Sequence, residues 1–304
     1  MKTSTLNYPG MVMGFSAYAI WGVFPIYFYF LSSVSSWEVL AHRIIWSVVA
    51  LIALLWWRGA LRGVFAVLAS PRQAGLLAAA SLLISANWLI YIHAIATHRT
   101  IDASMGYFIN PVFLIVLGIV VFRERLNNHQ IACVTLAAAG ILYQFITLGG
   151  FSWISLSLPA AFGGYGAIKK HLQLDSIASL FLETLLVMPF MIAYLAWQGS
   201  QSGLALVEGA PHVQILLVLA GIVTTIPLLL FAEGAKRLPL YVMGFLQYIT
   251  PTLQFSIGLF AFGEPLDRHK LIGFILVWTG LLVLILGQLH SRRRRALAPA
   301  AEME

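Results

Sequence analysis

INPVFLIVLGIVVFRERLNNHQIACVTLAAAGIL occupies residues 109–142, and ITPTLQFSIGLFAFGEPLDRHKLIGFILVWTGLL occupies residues 249–282. Set one above the other at a constant offset of 140, ten of 34 positions are identical without a gap. Pro111, Glu124, Leu126, His129 and Gly140 recur as Pro251, Glu264, Leu266, His269 and Gly280. Arg43 and Glu183 stand at the same offset, each near the start of the second apolar run of its half. The register slips in the first run of each half. Self-similarity of this kind marks a duplicated structural unit.

What is duplicated follows from composition. Of 304 residues, 60% are hydrophobic and only 10% charged, against about 25% charged in a soluble domain. There is too little polar surface to cover a water-soluble body, so apolar residues must face lipid. Each crossing of the hydrocarbon core needs roughly 20 apolar residues. The pattern predicts spans at residues 9–31, 37–57, 73–95, 102–122, 128–147, 152–170, 177–198, 212–232, 239–262 and 269–289. The 152–170 run is the most broken, by Gly163, Gly164 and Gly166. The first run has no small-residue cleavage site and reads as a retained span. The expected architecture is an all-α polytopic membrane protein of ten transmembrane helices. Residues 1–148 form the first repeat, 149–290 the second, and 291–304 a basic tail.

The net charge of +7 reads as a topology signal, with no nucleic acid as partner. With the N-terminus cytoplasmic, Lys2, Arg58, Arg62, Arg72, Arg123, Arg125, Lys169, Lys170, Lys236, Arg237 and Arg292 to Arg295 fall inside. Arg99, Arg268 and Lys270 fall outside, and Arg43 lies within a span. That is 14 inside, 3 outside and 1 buried of 18, as the positive-inside rule requires. Both termini are then cytoplasmic. The Arg292–Arg295 run acts as a stop signal that also suits anionic lipid.

Five spans per repeat make the second half enter the membrane inverted. Two inverted halves around a midplane site are a recurring architecture of secondary transporters, because they can exchange conformations and open one site to either side. Duplication in a channel-like facilitator or a membrane enzyme is the alternative.

Charged groups inside a span face a cavity or a partner. Arg43 needs a polar cavity, a pairing with Glu183, or a backbone carbonyl; a long Arg stem can instead snorkel to the interface. Glu183 and His93 are the titratable groups able to carry a coupled proton. Glu233, followed by Lys236 and Arg237, reads as an interfacial ion-pair residue. Trp21, Tyr91, Tyr107, Tyr165 and Tyr248 combine an apolar ring with a polar edge, and Asn87, Asn110 and Gln247 add hydrogen-bonding groups at membrane depth. Aromatic walls with a few placed polar groups describe a small-molecule pocket; interhelical hydrogen bonding is the plainer role. The expected cavity lining is Trp21, Arg43, Asn87, Tyr91, Tyr107, Asn110, Glu183, Gln247 and Tyr248, with Arg43 orienting an anionic group such as a carboxylate. Pro111 and Pro251, mid-span in both halves, are expected to kink their helices.

No Walker-type GxxxxGK[ST], HExxH or G-x-S-x-G occurs, so no ATPase, zinc-protease or hydrolase chemistry is indicated. The lone Cys133 can form no disulfide within the chain. No catalytic residue, metal or cofactor is expected, and no obligate protein partner; small molecule and bilayer are the expected contacts.

Several of these segments also carry a resemblance. His42-Arg43-Ile-Ile-Trp46-Ser47, Asn87-Trp88-Leu89, Ala103-Ser104-Met-Gly106-Tyr107-Phe108-Ile109-Asn110-Pro111 and Tyr165-Gly166 with Lys169-Lys170 are four of them. Gly221-Ile-Val-Thr224-Thr225-Ile-Pro227-Leu-Leu and Gly244-Phe-Leu-Gln247-Tyr248-Ile-Thr250-Pro251-Thr252-Leu complete the set. Together they resemble the RarD proteins of the EamA-type branch of the drug/metabolite transporter superfamily, over nearly the whole chain from Ala17 to Trp278. The resemblance implies a bacterial inner-membrane permease with ten spans in two EamA repeats. It also implies an association, by name, with chloramphenicol sensitivity or resistance, and relatives that export amino acids and other metabolites. It transfers no catalytic residue.

Overall fold

The computed structural model describes residues 8–122, 128–148, 152–169, 171–172, 174–238, 242–243 and 246–297. Arg123, Glu124, Arg125, Leu126 and Lys170 lie outside them. Every element described is helical. In chain order the main helices are α1 (Tyr8–Tyr29), α2 (Ser36–Trp57), α3 (Pro71–Ala96), α4 (Thr100–Phe122) and α5 (Asn128–Leu148). The second half supplies α6 (Trp153–Lys169), α7 (Ser176–Ser202), α8 (Pro211–Arg237), α9 (Ile249–Ser256) and α10 (Arg268–Leu297). Seven helices among the described residues are long and apolar enough to cross a membrane.

Local chemistry sets the ends. Ser70 accepts from Gln73 N and Pro71 opens α3, so one orphan amide is capped and another is absent. Asp175 caps α7 through Ile177 N at 3.1 Å. The glycines of the 152–170 run do not break it; α6 is continuous there and contains Pro159.

The prolines leave carbonyls that other residues recover. Pro25 sits inside α1 and cannot bond the Trp21 carbonyl four residues back. Gln254 of α9 reaches across and donates to that oxygen at 3.2 Å. Pro251 likewise cannot bond Gln247 O, and Thr250 N takes it at 3.3 Å. The chain turns at 247–248, which puts Pro251 in the first turn of α9 instead of mid-helix, while α4 keeps its helical backbone through residue 111.

The two halves interleave. Helix α1 packs on α8 and α9, and α6 packs on α3 and α4. Helix α2 packs on α7 and α8, and α7 also packs on α3. Exchanging each helix for the one five places on maps these pairings onto one another. Helices α5 and α10 run antiparallel: Gly140 meets Gly273 and Leu276, whereas Gly280 meets Cys133 and Leu136. Large apolar side chains such as Leu82, Ile146, Phe190 and Phe260 face outward, as lipid contact requires.

Candidate functional site

Helix α2 buries the face carrying His42, Arg43 and Ser47. It lies close to α8 because residue 221 is glycine. A β-carbon there would stand 2.2 Å from the carbonyl carbon and oxygen of Trp46. This contact brings Thr224, one turn further along α8, to Arg43. Arg43 Nε donates to Thr224 Oγ1 at 3.0 Å, and Thr224 in turn donates to Ala220 O at 2.8 Å.

The Arg43 guanidinium carbon lies 4.1 Å from the Trp88 ring centroid, 5.6 Å from Phe28 and 5.9 Å from Phe24. Tyr27, Tyr91 and Tyr107 are within its electrostatic reach. Tyr91 packs edge-on against Tyr107 at 5.7 Å and Phe28 at 5.9 Å. Tyr27 itself is held by the Leu216 carbonyl of α8. Even at the centre of a spanning helix an arginine costs about 3 kcal/mol on insertion scales, and Arg43 stands nearer the start of the 22-residue α2. A close, desolvated cation–π contact returns about 2 kcal/mol and the Thr224 bond about 1.5–3 kcal/mol. The charge is therefore tolerable without a counter-ion. Arg43 makes no ion pair among the described residues; of the outlets open to it, the pairing with Glu183 does not form, and the side chain is buried, only 5% exposed.

Glu183 is engaged elsewhere. Its Oε1 accepts from Lys169 Nζ at 2.9 Å and Ser179 Oγ at 2.6 Å, and its Oε2 from Tyr165 at 3.1 Å. Lys169 also bonds Ser179 and lies 5.4 Å from the Tyr165 ring centroid.

Arg43, Tyr91 and Tyr107 thus come together, with Asn87 behind them donating to Leu158 O of α6 at 3.0 Å. Asn110 is buried and its Oδ1 has no partner among the described residues. Trp21 packs with Tyr18 and Phe231. Tyr248 packs with the α4–α5–α9–α10 cluster that contains Phe108, Phe255 and Phe274. Gln247 sits half-buried in the turn before α9. His93 is in the last turn of α3, against Trp153. Glu233 pairs with Arg237 at 3.3 Å.

A second polar cluster joins the halves at one end. Asp102 binds Arg99 at 2.7 Å and Lys270 at 3.0 Å, and Ser155 donates to the Asp102 carbonyl. Glu264 caps α4, accepting from Thr100 N at 2.7 Å and Ile101 N at 2.8 Å. Tyr29 stacks on Phe262 at 4.6 Å. Arg99 and Lys270, both assigned to one face by the charge count, converge here. Sequence reading missed Thr224, Trp88, Asp102 and Lys169 as site residues. A lone Thr or Asp at a helix end has no periodic signature, although Lys169 four residues beyond Tyr165 marked one face of α6.

Among the described residues no group of three or more His, Cys, Asp or Glu can hold a metal ion.

An all-helical protein with a duplicated sequence, long apolar helices and large apolar side chains facing outward belongs to the class of multi-pass membrane proteins. The model of the EamA-like transporter family matches residues 8–146 and again 150–286. An uncharacterized transporter of Vibrio cholerae is 38% identical over 94% of this chain and 95% of its own length. Protein RarD of Streptomyces exfoliatus is 38% identical over 99% and 96%. A chloramphenicol-sensitive protein RarD of Pseudomonas aeruginosa is 26% identical over 90% and 92%. A solved crystal structure superposes with a TM-score of 0.58 at 17% identity, over 96% of this chain and 98% of that one, a likeness of fold alone. The chain belongs to the EamA-like transporter family, of the RarD type, and is a multi-pass protein of the bacterial inner membrane. The names of the family and of these relatives point to transport rather than catalysis.

Proposed function

We propose that the chain is a secondary transporter that exports small metabolites or drugs by alternating access between its two halves, with ten spans and both termini cytoplasmic. The observation that carries this reading is the Arg43–Thr224 bond: a buried charge of the first half is held by the second half, inside an aromatic enclosure. The antiparallel exchange of α5 and α10 supports it, since a two-fold axis lying across the helices relates inverted halves. Drugs are included because one relative is named chloramphenicol-sensitive.

Metabolite profiling of cells with and without the protein tests the proposal. A metabolite that accumulates inside the cells lacking the protein and outside those containing it is expected; identical profiles would overturn export. The Lys169–Glu183 pair favours a second reading, uncoupled facilitation, in which Glu183 serves as the structural partner of Lys169. Vesicle transport with and without a pH gradient separates the two. Dependence on the gradient that disappears in Glu183→Gln or His93→Gln marks that residue as the coupled group.

A further inference from the structure

We infer that Arg43 is the receiving end of the cargo site and that the cargo is a small monocarboxylate with an apolar body. The inference rests on the transport reading and adds the substrate class. A guanidinium carries five N–H donors, and among the described residues Arg43 uses one, on Thr224. Thr224 has already given its own proton to Ala220 O. Two hydroxyls are unmatched as well: Ser47 Oγ, one turn along the same face of α2, and Tyr91 Oη are buried with no partner among the described residues. Among the described residues the enclosure therefore holds unused donors around a positive charge that has no counter-ion. A carboxylate supplies two acceptor oxygens in the geometry that a guanidinium edge accepts, and the guanidinium carbon lies over the Trp88 ring, 4.1 Å from its centroid.

The site also discriminates against an ammonium. Each buried carboxylate among the described residues is engaged: Glu38 by Ala205 N, Asp102 by Arg99 and Lys270, Glu183 by Lys169, and Glu264 by Thr100 and Ile101. A zwitterion would bring a positive charge toward Arg43 with no counter-ion to receive it. The second half provides an internal comparison. At the position equivalent to Arg43 its charge, Glu183, is paired with Lys169, whereas Arg43 has no ion-pair partner among the described residues.

The test is thermal unfolding of the purified full chain in detergent with phenylacetate, indole-3-acetate and hexanoate. Each is set against its primary amide, and phenylalanine serves as the zwitterion. At least one acid is expected to raise the unfolding midpoint while its amide and phenylalanine do not. Arg43→Gln removes the shift, and Arg43→Lys weakens binding about tenfold because an ammonium lacks the planar fork. If Arg43→Gln does not fold, Thr224→Val replaces it, with binding again about tenfold weaker. The inference is overturned if no acid stabilises beyond its amide, if phenylalanine matches the acids, or if folded Arg43→Gln binds as the parent does. Its failure is separable from failure of the transport reading. A neutral or zwitterionic metabolite exported in the profiling experiment sinks the substrate class and keeps transport, whereas acid binding with unchanged profiles sinks transport and keeps the site.

Discussion

Gly140 on α5 and Gly280 on α10 occupy the same niche on each other's helices. A β-carbon on Gly140 would stand 3.0 Å from Gly273 O and 3.1 Å from Leu276 Cβ; one on Gly280 would stand 3.0 Å from Cys133 O and 3.2 Å from Leu136 Cβ. Gly273 and Leu276 are Cys133 and Leu136 displaced by 140 positions. The sequence repeat is thus realised as a two-fold contact between antiparallel helices. Small residues at such crossings let backbones approach closely.

Because the two niches match, Gly140→Val and Gly280→Val are expected to destabilise by similar amounts, about 1–3 kcal/mol each by overpacking. Unfolding midpoints in detergent check this. A loss confined to one of the two would deny the equivalence.

Gly221→Ala acts on the site itself. Its β-carbon would collide with the Trp46 carbonyl, so α8 must move away from α2 and Thr224 away from Arg43. Transport is expected to fall by at least about tenfold, the equivalent of about 1.4 kcal/mol. Gly63→Ala, where a β-carbon meets nothing within 4 Å, is the control. Equal transport rates for the two variants would show that the Gly221 contact does not set the position of Thr224.

Lys169→Met strands a buried carboxylate. Removing one partner of a buried pair costs about 3–5 kcal/mol, so Lys169→Met is expected to be poorly stable and Lys169→Met/Glu183→Gln to recover part of the loss. A double-mutant cycle on unfolding free energy measures the coupling. Additive losses would mean that the pair contributes nothing.

Asp102→Asn loosens the contact between α4 and the start of α10, since both Arg99 and Lys270 lose their carboxylate. The expected outcome is faster labelling of Ser104→Cys by a membrane-impermeant maleimide in a Cys133→Ser background. Ser104 is fully buried one turn from the α4 start. Unchanged labelling would exclude this cluster as a closure between the halves.

Sequence alone determined the apolar helices, the duplication and the presence of a costly Arg43 within α2. Length, hydropathy and the 140-residue offset are properties of the chain order, and the bilayer forces each apolar run to satisfy its own backbone hydrogen bonds. Those constraints act locally, so they survive without knowledge of the packing. Which groups meet was decided only by the tertiary structure. Arg43 and Glu183 sit at equivalent positions and carry opposite charges, so their pairing was one of the arrangements open to Arg43. Yet Lys169, on the adjacent α6, takes Glu183, while Gly221 brings Thr224 to Arg43. Likewise, Gln254 gives no sign in the sequence that it bonds the Trp21 carbonyl left by Pro25. Side-chain partners across helices depend on crossing points set by single small residues. The sequence shows opposite charges at matching positions, and helix packing decided that Glu183 pairs with Lys169 while Arg43 is held by Thr224.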